Sequence, residues 1–139
     1  MTVLAATNRP MDLDEALRRR LEKRIYIPLP STVGRRRLFE INLQGVTAAT
    51  DVKWEELVAN TDGYSGADIA NVCRDAAMMP MRKKIAEGAI DIDKIGDIAD
   101  VDMTIEMADF VQALKNVSKS VSQENLTAYK EWMAEYGCT

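Results

Sequence analysis

The sequence predicts an α/β remnant, the last strands of a larger sheet domain, followed by an all-α small helical-bundle domain and a C-terminal helix. Three observations lead there. The opening run Thr2-Val3-Leu4-Ala5-Ala6 is continuously apolar, the pattern of a strand buried on both faces. A short β-rich run, Arg24-Ile25-Tyr26-Ile27, is closed by Pro28-Leu29-Pro30 and marks a second strand. From Ser31 onward apolar residues recur at near-helical spacing and no further convincing strand follows.

Taken in order, the first strand ends at Thr7-Asn8-Arg9-Pro10, because the residue before a proline leaves helical backbone. Asp12-Leu13-Asp14-Glu15 then sets acids at the start of a short helix reaching about Leu21, with Arg18, Arg19 and Arg20 in its last turn, as the helix dipole favours. After the second strand, Ser31 caps a helix carrying Val33, Leu38, Phe39, Ile41 and Leu43, stopped by Gly45. Asp51 is expected to cap a short helix with Trp54, Leu57 and Val58, and Asn60-Thr61-Asp62-Gly63 to turn the chain. Ser65-Gly66-Ala67-Asp68 forms a capping box ahead of a helix with Ile69, Val72, Cys73, Ala76 and Ala77 on one stripe. Pro80 should break or kink that helix, and Gly88 should stop its continuation. Residues 89–103 hold five Asp without either periodicity and read as an exposed loop; Asp91 and Asp93 lack the spacing of a calcium loop. Ile105, Phe110, Val111 and Leu114 fit a helix, and Ser122 caps a last one whose Tyr129, Trp132 and Tyr136 share a face as buried anchors, ended by Gly137. The run Arg35-Arg36-Arg37 reads as a solvated face or a subunit contact.

Composition excludes several function classes. The 139 residues carry 18 Lys+Arg against 22 Asp+Glu, with no His, two Cys and 47% hydrophobic residues, the profile of one globular domain or a core with a docked extension. Without His there is no Cys/His zinc spacing and no imidazole base, so serine and cysteine protease triads and a metal site are not expected. No apolar run approaches the ~20 residues of a membrane helix, and the start lacks the regions of a signal peptide, so neither spanning nor secretion is expected. Residues 1–37 hold nine basic and four acidic side chains, residues 38–139 nine and eighteen; an acidic balance overall argues against a nucleic-acid partner. Two strands cannot build a parallel sheet, and Val3 to Ala6 would expose both faces alone. The chain is therefore expected to be cut from something longer.

Three motifs in order resemble one family. Thr7-Asn8-Arg9-Pro10, then Leu17-Arg18-Arg19-Arg20-Leu21-Glu22-Lys23-Arg24-Ile25-Tyr26-Ile27-Pro28-Leu29-Pro30, then Gly63-Tyr64-Ser65-Gly66-Ala67-Asp68-Ile69 are similar to the second region of homology and the sensor-2 segment of AAA ATPases. The unbroken arginine triplet and the ending Ser120-Val121-Ser122 with Tyr129, Trp132 and Gly137 resemble the katanin-like, microtubule-severing branch. The resemblance covers nearly the whole chain. It implies that residues 1–30 end the large α/β domain, residues 31–119 form the small helical lid domain, and residues 120–139 form a C-terminal helix packing back on the large domain. It also implies ATP with Mg, neighbouring subunits of the same ring, tubulin gripped by pore loops that this chain lacks, and a cytoplasmic place on microtubules or the spindle. A further candidate partner is a regulatory subunit.

Residue chemistry and resemblance assign the site differently. Asn8 caps a turn on its chemistry alone; the resemblance makes it sensor 1, which contacts the γ-phosphate or positions the attacking water. Arg19 and Arg20 complement a helix dipole; the resemblance makes them arginine fingers reaching a neighbour's nucleotide, leaving Arg18 to the dipole. Gly66 and Ala67 open a capped helix whose N–H groups favour an anion; the resemblance lays their small backbone against adenine and ribose. Where other branches carry a sensor-2 arginine stand Ala67 and Asp68, and Arg74 is a weak substitute. There is no G-x-x-x-x-G-K-[ST] and no Walker B strand, so this chain alone is expected neither to bind ATP tightly nor to hydrolyse it. The rival readings are a spastin-like or ESCRT-disassembling ATPase, or a non-catalytic truncated module that docks on intact subunits.

Overall fold

The computed structural model describes residues 2–88 and 102–137; the acidic segment 89–101, with Asp91 and Asp93, and Cys138 lie outside the described residues. Among the described residues the helices are α1 (Glu15–Arg20), α2 (Thr32–Asn42), α3 (Trp54–Asn60), α4 (Gly66–Ala86), α5 (Met107–Asn116) and α6 (Gln123–Tyr136), with a 3-10 turn at Pro10–Asp12. The chain divides into two compact units, Leu29–Ser120 and the pair of segments Met1–Pro28 and Val121–Thr139.

The larger unit is a helical bundle. Ser31 accepts from Gly34 N to start α2, and the chain leaves that helix through Gly45 at φ +82. Its apolar stripe buries Phe39 and Leu43. Phe39 and Phe110 meet edge-on at 6.3 Å, and Trp54 closes the triangle at 6.5 and 5.9 Å, geometry that aromatic quadrupoles favour. Around them Leu57, Ile69, Val72, Ile105 and Ala113 are fully buried, each large side chain contributing roughly 1.5–3 kcal/mol of apolar burial. Gly63, at φ +78, turns the chain into α4, a backbone region that other residues adopt only under strain.

Several local expectations fail here. Of the break or kink expected at Pro80 the break does not occur: α4 continues to Ala86 with Pro80 buried inside it. A proline deletes one ladder bond and crowds the preceding turn; the stripe from Ile69 to Ala76, packed into the core, holds the helix against that loss. Asp51 does not cap α3, whose N-cap is Lys53 without a side-chain bond; its carboxylate accepts instead from Met107 N, at 3.3 Å, at the start of α5. Ile105 is extended, not helical, and forms an isolated parallel bridge with Ala48. Arg35 is not solvated: it is 5% exposed, donating from Nε to Val58 O and from Nη1 to Pro30 O, both at 3.2 Å.

The smaller unit corrects the fold class. No strand forms among the described residues; residues 2–7 and 21–28 carry no regular secondary structure, with Leu4 96% and Ile27 85% exposed. A strand is a hydrogen-bonded pair, and composition favouring a buried strand does not supply the ladder partner. The α/β remnant expected from the sequence is thus not confirmed: the described residues are helical, with no strand. What orders the unit is α6. Tyr129 O–H donates to Asn8 O at 2.7 Å, and its ring lies 6.3 Å from that of Tyr26. The anchors expected on α6 are half-buried, not buried.

Candidate functional site

Helix α1 has six residues and none of them is buried, too few to be stable by propensity. Asp14 starts it by accepting from Leu17 N at 2.8 Å. Its last turn sorts three consecutive arginines. Arg18 turns inward, its guanidinium 4.8 Å over the Tyr136 ring, whereas Arg19 and Arg20 are exposed. Arg19 pairs with Glu15 one turn back, in a contact whose side chains are 77% and 67% exposed; such pairs are worth about 0.3–0.5 kcal/mol, so the guanidinium is readily released to a stronger acceptor. Asn8, also exposed, sits in a bend two residues before Pro10, anchored through its carbonyl to Tyr129. Sequence reasoning assigned no role to Arg24, whose guanidinium joins the carbonyls of Arg18 and Tyr136; its place in the arginine-rich motif was the only signal.

Gly66 and Ala67 belong to the other unit, at the start of α4. The capping box there is complete: Asp68 N donates to Ser65 Oγ at 3.2 Å and Ser65 N to Asp68 Oδ2 at 2.9 Å. Ser120, which sequence reasoning did not connect to this helix, adds two more bonds to Asp68 Oδ2, from its N at 3.2 Å and its Oγ at 3.0 Å. Burial pushes the Asp68 carboxyl upward, but these bonds from Ser65 and Ser120 outweigh it and hold the group below its ordinary value of 3.8. The preceding Tyr64 donates its O–H to Val117 O at 2.7 Å, and burial, with the nearby Asp68 charge, raises its pKa. The strap 117–120 is thereby tied to the start of α4. Arg74 is exposed and donates to Asn71 at 3.1 Å.

This arrangement tests what the α4 start can hold. The anion favoured at a helix N-terminus is here the chain's own Asp68 carboxylate, and a phosphate beside it would meet like charge. A neutral ring fits better. A Cβ added at Gly66 would meet Leu38 only at 3.8 and 3.9 Å, ordinary contact, so the chain's own packing does not demand glycine, and Ala67 is exposed. Gly66 and Ala67 leave room for a close approach at the start of α4, and no complete nucleotide site is present among the described residues.

Residues 51–95 match the AAA+ lid domain family, and residues 91–137 match the Vps4 C terminal oligomerisation domain family. A katanin p60 ATPase-containing subunit of the A-like 1 type, from Danio rerio, is 53% identical over 135 residues, which are 97% of this chain and 28% of that protein. Over nearly its whole length the chain is thus similar to the C-terminal quarter or so of katanin-type AAA ATPase subunits. Among solved AAA structures, the FIGL-1 AAA domain in complex with ADP is similar at TM-score 0.79 and 37% identity, covering 96% of this chain and 44% of that one. A structure described as the structural basis for katanin self-assembly is similar at TM-score 0.79 and 35% identity, covering 90% and 44%. The chain spans 28% of the length of that katanin-named relative. Such ATPases use ATP and Mg.

Proposed function

We propose that the chain is the C-terminal part of a katanin-like AAA ATPase that couples ATP hydrolysis to microtubule severing, acting in the cytoplasm on microtubules or the spindle. Residues 1–30 end its large α/β domain, residues 31–119 form its lid, and residues 120–139 are the C-terminal helix. In this reading segments 2–6 and 24–27 pair with strands of other polypeptide. The partners are further subunits of the same ring and tubulin; the match to an oligomerisation domain and the katanin self-assembly structure support the first. Relatives at 53% identity that carry the katanin name favour this branch over spastin-like or ESCRT-disassembling enzymes.

The observation that carries the reading is the sorting of Arg18, Arg19 and Arg20. Two adjacent guanidinium groups stand outward at a helix end, weakly held, while the third is turned inward over Tyr136. In the proposed role Arg19 and Arg20 stabilise charge on the phosphoryl oxygens at a neighbouring subunit's site, where a fixed planar donor is worth far more than in water. Asn8 orients the attacking water from the end of the opening segment, and Gly66 and Ala67 line the adenine side. ATP supplies the transferable phosphoryl group, and Mg neutralises its oxygens. Arg19→Ala or Arg20→Ala in the complete, assembled protein should lower kcat at least about 100-fold with nucleotide affinity unchanged. Turnover at the original rate in assembled rings refutes the assignment.

A further inference from the structure

We propose that Arg24 is a positioning residue: its guanidinium fork locks the last turn of α1, and with it Arg19 and Arg20, to the C-terminal end of α6. This rests on the arginine-finger reading above and adds to it the part that aims the fingers. Nη1 of Arg24 donates to the carbonyl of Tyr136 at 2.5 Å, and Nη2 donates to the carbonyl of Arg18. Both acceptors lie in the final turns of their helices, where carbonyls have no partner within the helix and carry the negative end of the dipole. One rigid, always-charged fork therefore caps two helix ends at once, a geometry that a single-headed ammonium does not reproduce.

The chain has a specific need for such a tie. Helix α1 has no buried side chain, and six residues cannot hold their own orientation. Beyond its cap at Asp14, its C-terminal half meets the rest of the unit through Arg24 and through the stacking of Arg18 on Tyr136, whose ring in turn packs 5.6 Å from Trp132. The residues that fix α1 from outside therefore converge on the last turn of α6, 112 positions from Arg24 in sequence. Arg19 and Arg20 directly follow the carbonyl that Arg24 holds, so a loosened last turn displaces both.

The test uses rings of the complete protein, at concentrations that saturate assembly, comparing Arg24→Met, Arg24→Lys, the double variant Arg19→Ala/Arg20→Ala, and that double variant combined with Arg24→Met. Misplacing a reacting group by about 1 Å costs up to about 100-fold. Arg24→Met is accordingly expected to lose about 10- to 100-fold in kcat per assembled ring, with KM for ATP unchanged. Arg24→Lys should fall between it and the parent. On the finger-less background Arg24→Met should cost nothing more, because there is nothing left to aim. Parent turnover in assembled Arg24→Met rings overturns the proposal, as does a loss confined to melting temperature and assembly, or a full additional loss on the finger-less background. If Arg24→Met does not assemble, parent turnover in Arg24→Lys overturns it instead. Should the double variant Arg19→Ala/Arg20→Ala itself turn over normally, the finger reading fails first and separately.

Discussion

Arg35→Ala should destabilise the Leu29–Ser120 unit strongly, although the residue sits in a run of three arginines whose last member is held only by an exposed pair. Arg35 is 5% exposed and bonds to the carbonyls of Val58 and Pro30 at 3.2 Å each; its contact to Thr32 Oγ1 at 3.5 Å is too long to count for much. The ion pair with Asp62, also 3.2 Å, adds little because the Asp62 side chain is 83% exposed. Hydrogen bonds from a charged donor contribute about 1.5–3 kcal/mol each, and the lower end applies here, since Val58 O keeps its bonds from Thr61 N and Oγ1. With the packing of the lost alkyl stem, about 2–4 kcal/mol disappears, a fall in melting temperature of roughly 10–20 °C for a unit of this size. Arg35→Met, which keeps the stem, should recover about half of it. Arg37→Ala, which loses an exposed pair to Glu40, should stay within about 0.5 kcal/mol. The assay is urea unfolding followed by Trp54 fluorescence in a Trp132→Phe background. An Arg35→Ala midpoint indistinguishable from that of Arg37→Ala would refute the burial argument.

Two further outcomes follow from the start and middle of α4. Asp68 is held below its ordinary pKa in the fold, so its contribution is complete above about pH 4 and is lost as pH falls through the lowered value; the parent should exceed Asp68→Asn by about 1–2 kcal/mol at pH 7, a gap that narrows in urea titrations carried progressively below pH 4. A gap independent of pH contradicts this. Burial pushes the Cys73 thiol up to about 12, so in a Cys138→Ser background a thiol reagent at pH 8 should label Cys73 only at the rate of unfolding, and rapid labelling of the native chain would contradict it.

What was legible in the sequence was whatever is settled within one turn of chain. Ser31, Ser65 and Ser122 each cap the helix expected of them, because a capping hydroxyl bonds only two or three residues ahead. What was not legible depends on partners far along the chain. Asp51 and Ser65 look equally good as caps, yet Asp51 finds Met107, 56 residues on. Arg35 differs from Arg36 and Arg37 only in its position four residues before Phe39, on the stripe that faces the core; reading residue type without helical phase hid it. The same limit explains segments 2–7 and 21–28. Their composition suits a buried strand, but a ladder needs a second backbone, and no spacing rule shows whether the same chain provides it.

The start of α4 and the end of α1 follow opposite electrostatic logics. At the start of α4 the chain has already supplied the anion: Asp68, nearly buried at 3% exposure and bound by Ser65 and Ser120, uses the helix dipole internally, so a further anion gains little there. At the end of α1 the chain does the reverse, leaving two cations outward with only an exposed glutamate beside one of them. A cation pair of that kind gains most where opposing charge is desolvated, which the described residues do not offer at that helix. In the proposed ring the phosphates that face Arg19 and Arg20 belong to a nucleotide held by another copy. That makes turnover depend on assembly, with the tie from Arg24 to α6 deciding how well each subunit serves its neighbour.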